Sequence, residues 1–295
     1  MAVVRVYVGS FMTSLDMTGI SLSLMRVIST ADLEALDFAV NVAGWPSHGG
    51  LVPRTAWKEL EKPEASSEAN QEKEKSATLI ISPDYAVKVS AALVAAANAV
   101  IKLEEQLTDW DGKVGDGDAG MTFKRGADRI VADAGKDLYA SECDAAAVWM
   151  KLADGIRESM GGTSGIVLDI FSRSMASSLS SASSSTPAEQ FSAALKGGVA
   201  AISYYGGAKP GMSTLLDALA PASDAVSAAV SSGDCDLKSV MSKAAKAAMT
   251  GAESTKTMKA MAGRASYVNQ EDAEGIPDPG AMALAHGLQA AADSL

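Results

Sequence analysis

The stretch from Leu107 to Gly126 reads LTDWDGKVGDGDAGMTFKRG. Glycines are interleaved with four aspartates in it, namely Asp109, Asp111, Asp116 and Asp118, with Gly115, Gly117 and Gly120 among them. Glycine lets the backbone turn tightly, so we expect the acids to converge. Two carboxylates about 5 Å apart repel by about 3 kcal/mol at an effective dielectric of about 20, so such a cluster stays ionised only beside a cation. Oxygen ligands without His or Cys nearby favour magnesium or calcium over zinc.

Three other interpretations of this stretch compete with a metal site. The glycines match the dinucleotide pattern GxGxxG, but the acids between them would then face a pyrophosphate with no metal in between. An EF-hand loop that starts at Asp109 would carry Lys113 at its fifth position and Gly120 at its twelfth, where a bidentate Glu is needed. A plain acidic turn that caps the next helix remains open, because Asp and Gly are ordinary turn residues.

Composition and charge restrict the class of protein. The chain has 295 residues, 47% of them apolar, which is enough for one large domain or two small ones. A net charge of −11 argues against a nucleic-acid or anionic-membrane partner and suits a site that recruits a divalent cation. Cys143 and Cys235 are the only cysteines and lack CxxC spacing, so a reducing compartment is expected. The start of the chain, interrupted by Arg5, resembles a strand more than a signal peptide, and we expect a cytoplasmic protein.

Pattern changes along the chain predict three regions. Residues 1–50 contain alternating apolar positions from Val4 to Val8 and from Ile20 to Leu24, which predict two strands at the end of an α/β domain, followed by a short helix over 32–38. Residues 51–78 are rich in Glu, Lys, Ser and Pro and predict a charged flexible linker. Residues 79–295 show helical periodicity without further strands, which predicts an all-α domain.

Eight helices are predicted in this last region. Ser82 and Pro83 have the residue types of a helix start, and Thr186 with Glu189 has the spacing of a capping box. A bend or break is expected at Pro221. The predicted spans are about 82–107, 120–134, 144–160, 165 onward, 187–204, 213–231, 236–261 and 278–295.

Two further glycine-rich segments could bind anions. Gly161 to Gly165 reads GGTSG and opens a helix, where free backbone N–H groups attract phosphate. The alternative is an interhelical turn with Thr163 as its N-cap. Gly206 to Gly211 starts like a Walker A loop, but Met212 and Ser213 stand where that motif needs Gly-Lys, so a P-loop is excluded.

Arg264, in the segment GRASY, is a candidate for a phosphate or base contact, and a surface salt bridge is the alternative. His48 and His286 are assigned no role, because a lone His is more often structural. No catalytic residue is identified in this chain.

Taken together, these motifs resemble the nucleotide-binding L domain of the dihydroxyacetone (glycerone) kinase family in its fused, ATP-dependent form. The matching segments are Leu107 to Asp118, Gly161 to Gly165, Gly206 to Gly211, Leu216 to Leu219, Gly251 to Lys256, Gly263 to Tyr267 and Pro277 to Gly280. Residues 5–46 resemble the very end of the family's substrate-binding K domain.

The resemblance implies a barrel of eight antiparallel helices with ATP (or ADP) at one end, held through two magnesium ions. Asp111, Asp116 and Asp118 would be the metal ligands, with Asp109 outside the pattern. The nucleotide would be bound by Ala119, Gly120, Met121, Thr122, Gly162, Thr163, Ser164, Gly165, Met212, Ser213, Arg264, Asp278, Pro279 and Gly280. Among these, Thr122 and the groups around Thr163 and Ser164 would hold the phosphates. Met212, Ser213, Arg264 and Asp278 to Gly280 would surround the nucleoside. Met212 and Ser213 depart from the acidic–basic pair that is common in the family.

The activity implied is transfer of the ATP γ-phosphoryl to a triose hydroxyl. In the family a K domain binds dihydroxyacetone or glyceraldehyde through a histidine and forms a homodimer, so we expect this chain alone to be inactive. Three alternatives stay open: an ADP-cofactor subunit that a phosphotransferase carrier recharges, a non-catalytic nucleotide-binding protein, and an FAD-AMP lyase (cyclising).

Overall fold

The structure, a computed structural model, describes residues 5–7, 23–38, 81–181 and 186–295. The chain divides into two compact units, Met1–Lys73 and Glu74–Leu295.

The first unit is described over a short helix and the segments before it. Helix α1, Thr30–Asp37, begins with a capping box in which Ser29 accepts from the Asp32 amide. The Arg5 guanidinium bonds to the Asp37 carboxylate, with 2.7 Å between Nε and Oδ1. Val6 lies in an isolated bridge, and residues 23–28 have no regular secondary structure. The greater part of the predicted strands, and the predicted linker, lie outside the described residues.

The second unit is helical. Its elements are α2 Pro83–Lys102, α3 Glu104–Val114, α4 Ala119–Ala134, α5 Ala145–Ser159, α6 Gly162–Ser181, α7 Pro187–Gly206, α8 Leu216–Ser231, α9 Leu237–Ser254, α10 Gln270–Ala273 and α11 Pro279–Ser294, with 3-10 turns at Thr255–Thr257 and Arg264–Tyr267.

Side-chain caps begin these helices where the sequence predicts them. Ser82 accepts from the amide of the third helical residue of α2, with Pro83 in the first turn. Thr186 and Glu189 form the predicted capping box of α7. Asp278 accepts from the Ala281 amide at the start of α11. Each cap satisfies an amide that has no partner within its own helix.

Three predicted boundaries are wrong. The first predicted helix is two helices, because the chain leaves helical geometry at Leu103 (φ −92°, ψ 0°) and resumes in α3. The sixth starts at Leu216 rather than at Ser213, whose φ of +56° is incompatible with a right-handed helix. The seventh ends at Ser254 rather than at Met261. At Ser254 the side-chain hydroxyl donates to the Gly251 carbonyl, and the chain continues as a 3-10 turn.

Within the described part of this unit, eight helices form a closed ring. Each packs against the next in the order α2, α4, α5, α6, α7, α8, α9 and α11, and α11 closes on α2. Helix α3 packs on α4 and α11 beside the ring. The predicted all-α barrel of eight helices is therefore confirmed.

Small side chains allow the helices to approach closely. Many alanines of α8, α9 and α11 are fully buried, among them Ala218, Ala222, Ala244, Ala248, Ala281 and Ala285. Larger apolar side chains from the ring line a cavity of about 330 Å³. In the described part of the chain, α2 alone has the length and apolar composition of a bilayer-crossing helix. It packs against α4 and α11 as one side of this ring.

One close contact joins α8 to α9 near their ends. Pro221 continues α8 without breaking it, but it has no N–H to donate to the carbonyl of Asp217, four residues earlier. A Cβ on Gly251 of α9 would lie 1.9 Å from that carbonyl oxygen and 3.0 Å from Pro221 Cγ. Only glycine fits there, because any side chain would push the two backbones apart.

We therefore expect Gly251→Ala to lower the free energy of unfolding by about 2 kcal/mol, the usual effect of overpacking. Gly112→Ala is the matched control, because a Cβ at Gly112 in α3 would meet nothing within 4 Å. This control should leave stability unchanged or raise it by about 0.5–1 kcal/mol. Urea denaturation of both variants measures the difference, and equal midpoints for the two would contradict the packing account.

Candidate functional site

One end of the barrel collects the segments that the sequence analysis selected. Consecutive helices of the ring lie side by side. Most of them are joined by a short connection, so they run in opposite directions. The C-terminal ends of α3, α5, α7 and α9 therefore lie at the same end as the N-termini of α4, α6, α8 and α11. The start of α11 is held at the end of α9 by a hydrogen bond of 2.8 Å from the Asp278 amide to Thr255 Oγ1.

Three carboxylates converge at this end. Asp111, Asp116 and Asp118 offer oxygen atoms that all lie within 4.8 Å of one another. Asp111 comes from the last turn of α3, and the other two come from the connection to α4. Gly115 permits this arrangement, because a Cβ there would lie 2.2 Å from Asp111 Oδ1. The residues fit a divalent cation, since three oxygen donors at this spacing suit magnesium or calcium.

Only one carboxylate oxygen of this cluster, on Asp111, accepts a hydrogen bond from the start of α4. Helix capping therefore does not explain the position of the other carboxylates. Asp118 is the N-cap of α4, yet its side chain makes no capping hydrogen bond. The Ala119 amide instead donates to Asp111 Oδ2, at 2.9 Å. Asp109, the acid outside the resemblance, pairs with Lys113 on the surface of α3, with 2.6 Å between Oδ2 and Nζ. The acidic-turn interpretation therefore does not explain why Asp116 and Asp118 face Asp111.

An arginine side chain reaches the three aspartates from the segment between α9 and α11. Arg264 Nη1 lies 3.0 Å from Asp116 Oδ2, and the Arg264 side chain is 72% exposed. The surface salt bridge weighed for Arg264 is thus present, and it links this residue to a candidate metal ligand. An exposed pair contributes at most about 1 kcal/mol, which is too little to balance three carboxylates.

The first turn of α4 carries four predicted nucleotide contacts, and they differ in their surroundings. The Ala119 amide is engaged by Asp111. Gly120 packs against α3, since a Cβ there would lie 2.1 Å from Thr108 Oγ1. Met121 is 58% exposed, whereas Thr122 is buried.

Thr122 is connected to the glycine-rich start of α6. Its Oγ1 accepts a hydrogen bond of 3.0 Å from Arg125 Nη2. The same nitrogen lies 3.7 Å from where a Cβ on Gly161 would be. A guanidinium therefore sits between the N-terminal turns of two helices. Both ends attract anions.

The amides of the segment 161–165 divide into two groups. Helix α6 begins at Gly162, so Thr163 lies within its first turn and is not its N-cap. The Gly165 amide donates to the Gly161 carbonyl at 3.2 Å. The amides of Gly162, Thr163 and Ser164 precede the first helical hydrogen bonds and are the ones that can donate to an anion.

Some of the residues predicted to surround the nucleoside lie in two neighbouring segments, the turn before α8 and the segment that carries Arg264. Met212 and Ser213 lie in the turn before α8, where Ser213 is 8% exposed with φ +56°. The Met212 carbonyl accepts from the Met261 amide at 3.0 Å, which ties this turn to the segment that carries Arg264.

The start of α11 completes this side of the site. Pro279 is buried in the first turn. A Cβ on Gly280 would lie 3.5 Å from Leu215 Cβ and 3.8 Å from Phe123 Cζ, which places this turn between the starts of α8 and α4. Burial, together with the nearby charges of Asp217 and Asp111, raises the pKa of Asp278 to about 7.

Three residues with contacts at this end, Arg125, Asp217 and Thr255, were given no role by the sequence analysis. Arg125 lies three residues after Thr122, so helical spacing could have indicated their contact. Thr255, which accepts from the Asp278 amide, is distant in sequence, and only the packing of α9 against α11 brings it there.

Comparison with known proteins identifies the family. The DAK2 domain family matches residues 113–293, more than half of the chain. A Solanum lycopersicum protein with the provisional name 3,4-dihydroxy-2-butanone kinase is 41% identical over 295 residues, 99% of this chain and 48% of that protein. The triokinase/FMN cyclase of Homo sapiens is 36% identical over 98% of this chain and 48% of its own length. This chain spans about half the length of these relatives.

A solved structure shares the fold. The dihydroxyacetone kinase of C. freundii in complex with AMP-PNP and Mg²⁺ matches with a TM-score of 0.57 and 26% identity, over 91% of this chain and 43% of that one. Its native form matches with a TM-score of 0.60 and 27% identity over the same shares. From the domain match, the relatives and this fold, the chain belongs to the dihydroxyacetone kinase family, with its DAK2 domain at residues 113–293.

Proposed function

We propose that this chain is the ATP-binding half of a dihydroxyacetone kinase. It would hold ATP through two magnesium ions at the end of the barrel and transfer the γ-phosphoryl to a triose hydroxyl that a K domain presents. The observation that carries this proposal is the convergence of Asp111, Asp116 and Asp118 within 4.8 Å beside the start of α4. Residues 1–50 would be the end of a K domain, and residues 51–78 a linker to the L domain at 79–295.

The proposed chemistry is mainly positioning and charge stabilisation. Magnesium bound by the three aspartates would neutralise charge on the phosphate oxygens during transfer. The free amides at the start of α6 would donate to the same oxygens and orient the phosphate chain. Arg125, between Thr122 and Gly161, would add a positive charge where those two helix starts meet. The acceptor hydroxyl and the group that takes its proton would come from the K domain.

The second candidate function is FAD cyclisation. It is favoured by the human relative, which covers 98% of this chain and is named triokinase/FMN cyclase. In that reaction a dinucleotide would occupy the same site and be cleaved to AMP and cyclic FMN. No triose acceptor is needed, so this activity would not require a K domain.

We expect Asp118→Asn to weaken Mg·ATP binding by at least about tenfold, because it removes one charged ligand of the cation. Asp109→Asn is the matched control on the same acidic stretch, since Asp109 pairs with Lys113, and its affinity should stay within about twofold of wild type. Isothermal titration calorimetry with and without EDTA measures both variants. An ATP affinity that EDTA does not change would refute the metal-bridged site.

Activity assays separate the candidate functions. We expect no triose phosphate from this chain with ATP and dihydroxyacetone, and ADP release once a separately purified K domain is added. Binding of ATP without any product in the mixture would favour a non-catalytic nucleotide-binding protein. AMP release from FAD by this chain alone would favour the cyclase, and copurified ADP that does not exchange would favour the ADP-cofactor subunit.

The burial of Asp278, with the charges of Asp217 and Asp111 nearby, predicts a pH effect on stability in the absence of metal. The pKa of Asp278 is about 7 in the folded chain, against an ordinary value of 3.8 for an aspartate. Between these two pH values the folded state therefore binds more protons than the unfolded state. Stability should therefore fall as pH rises through this window, by up to about 1.4 kcal/mol per pH unit between about pH 5 and 6, and level off above pH 7.

Urea denaturation in EDTA measures this slope. Asp278→Asn should flatten it, and Asp128→Asn, at an exposed position of α4, should not. A wild-type stability that rises between pH 5 and 7 would contradict the assignment.

A further inference from the structure

The turn that carries Met212 and Ser213 needs support from outside itself. Ser213 has φ +56°, a left-handed conformation that is unfavourable for a residue with a side chain. It is also 8% exposed, so the strained residue is buried rather than free to relax into solvent. Such a conformation persists only when its surroundings fix it.

Asp217 brackets this turn from the first turn of α8. Its side chain is buried, at 3% exposure. Oδ1 accepts from the Gly211 amide at 2.5 Å, and Oδ2 accepts from the Thr214 amide at 2.8 Å. These two amides lie immediately before Met212 and immediately after Ser213. One carboxylate therefore fixes both ends of the turn.

The backbone of Asp217 is itself fixed. Its carbonyl lies against Gly251, where no side chain would fit. The turn is held on its other side by the hydrogen bond from the Met261 amide to the Met212 carbonyl. The Asp217 backbone is therefore held in place by α9, and the turn that its carboxylate contacts is held on the opposite side by Met261.

A buried carboxylate is costly unless hydrogen bonds stabilise its charge. At Asp217 these bonds come from two backbone amides, and charge-assisted bonds of this kind are about twice as strong as neutral ones. A neutral side chain would fill the same volume at lower desolvation cost. We therefore explain the presence of a charged side chain at this position by the two strong hydrogen bonds with which it fixes the conformation of the turn.

We propose that Asp217 is a positioning residue for the nucleoside side of the site, and that it sets the preference of this chain for ATP over a bare polyphosphate. This inference rests on the proposed function, in which Asp111, Asp116 and Asp118 hold the metal and phosphates. It also rests on the place beside the nucleoside that the family resemblance implies for Met212 and Ser213. Asp217 touches the turn and not the phosphate end, so its loss should affect the two halves of ATP unequally.

The test is Asp217→Asn, which keeps the shape but offers an NH₂ group to one of the two amides. We expect Kd for Mg·ATP to rise about tenfold, which corresponds to the loss of about one charged hydrogen bond. Kd for Mg·tripolyphosphate should change by less than about twofold, since the metal ligands are untouched. Calorimetry with both ligands gives the ratio. Asp144→Asn is the control, because Asp144 also accepts a backbone N–H, at the start of α5, and should leave the ratio unchanged.

The possible outcomes distinguish a positioning role from a structural one. Equal loss of both ligands would show that Asp217 supports the fold as a whole, and no loss of either would show that the turn does not depend on it; each result overturns the inference.

Hydrogen exchange of the Gly211 and Thr214 amides tests, without any nucleotide, whether the two hydrogen bonds to Asp217 hold the turn. Faster exchange in Asp217→Asn supports it, and unchanged exchange overturns it. If wild type binds neither ligand, the proposed function fails and the preference for ATP fails with it, while the exchange rates still decide whether Asp217 holds the turn.

Discussion

Repulsion between Asp111, Asp116 and Asp118 is the constraint on which the site depends. Their oxygens are within 4.8 Å of one another, and the described cation nearest to them, Arg264, is mostly exposed. The local fold nevertheless holds the acids together, through the Asp111 bond to the Ala119 amide and the lack of a side chain at Gly115. A structure that holds like charges in this way is suited to a divalent cation, whose charge would then stabilise the loop.

The barrel makes this arrangement possible by bringing distant segments to one end. Because its helices alternate in direction, every second connection lies at the same end of the barrel as the acids. Each of these connections leads into a helix whose N-terminus can attract phosphate. Close packing of small residues fixes the positions of these helix ends relative to one another. The contact of Gly251 with the Asp217 carbonyl links the packing of α8 and α9 to the turn that carries Met212 and Ser213.

Much of this fold could be predicted from the sequence, because local chemistry decides it. Ser82, Thr186 and Asp278 cap helices where their residue types predict, and the spacing of the aspartates predicts their convergence. Long-range packing decided the rest. The break at Leu103 has no Gly or Pro to signal it. The contact of the Asp217 carbonyl with Gly251 and that of Thr255 with the Asp278 amide depend on the tertiary arrangement of α8, α9 and α11. The left-handed Ser213 gave no signal in the sequence, since Ser is not a residue type that marks this conformation.

The central claim is that the three aspartates bind the metal that carries the nucleotide. Anomalous X-ray diffraction from a crystal grown with Mn²⁺ and a non-hydrolysable ATP analogue tests it most directly. The account predicts an anomalous peak coordinated by Asp111, Asp116 and Asp118 together with phosphate oxygens of the analogue. A nucleotide bound at this end of the barrel with no metal between its phosphates and these carboxylates would contradict it.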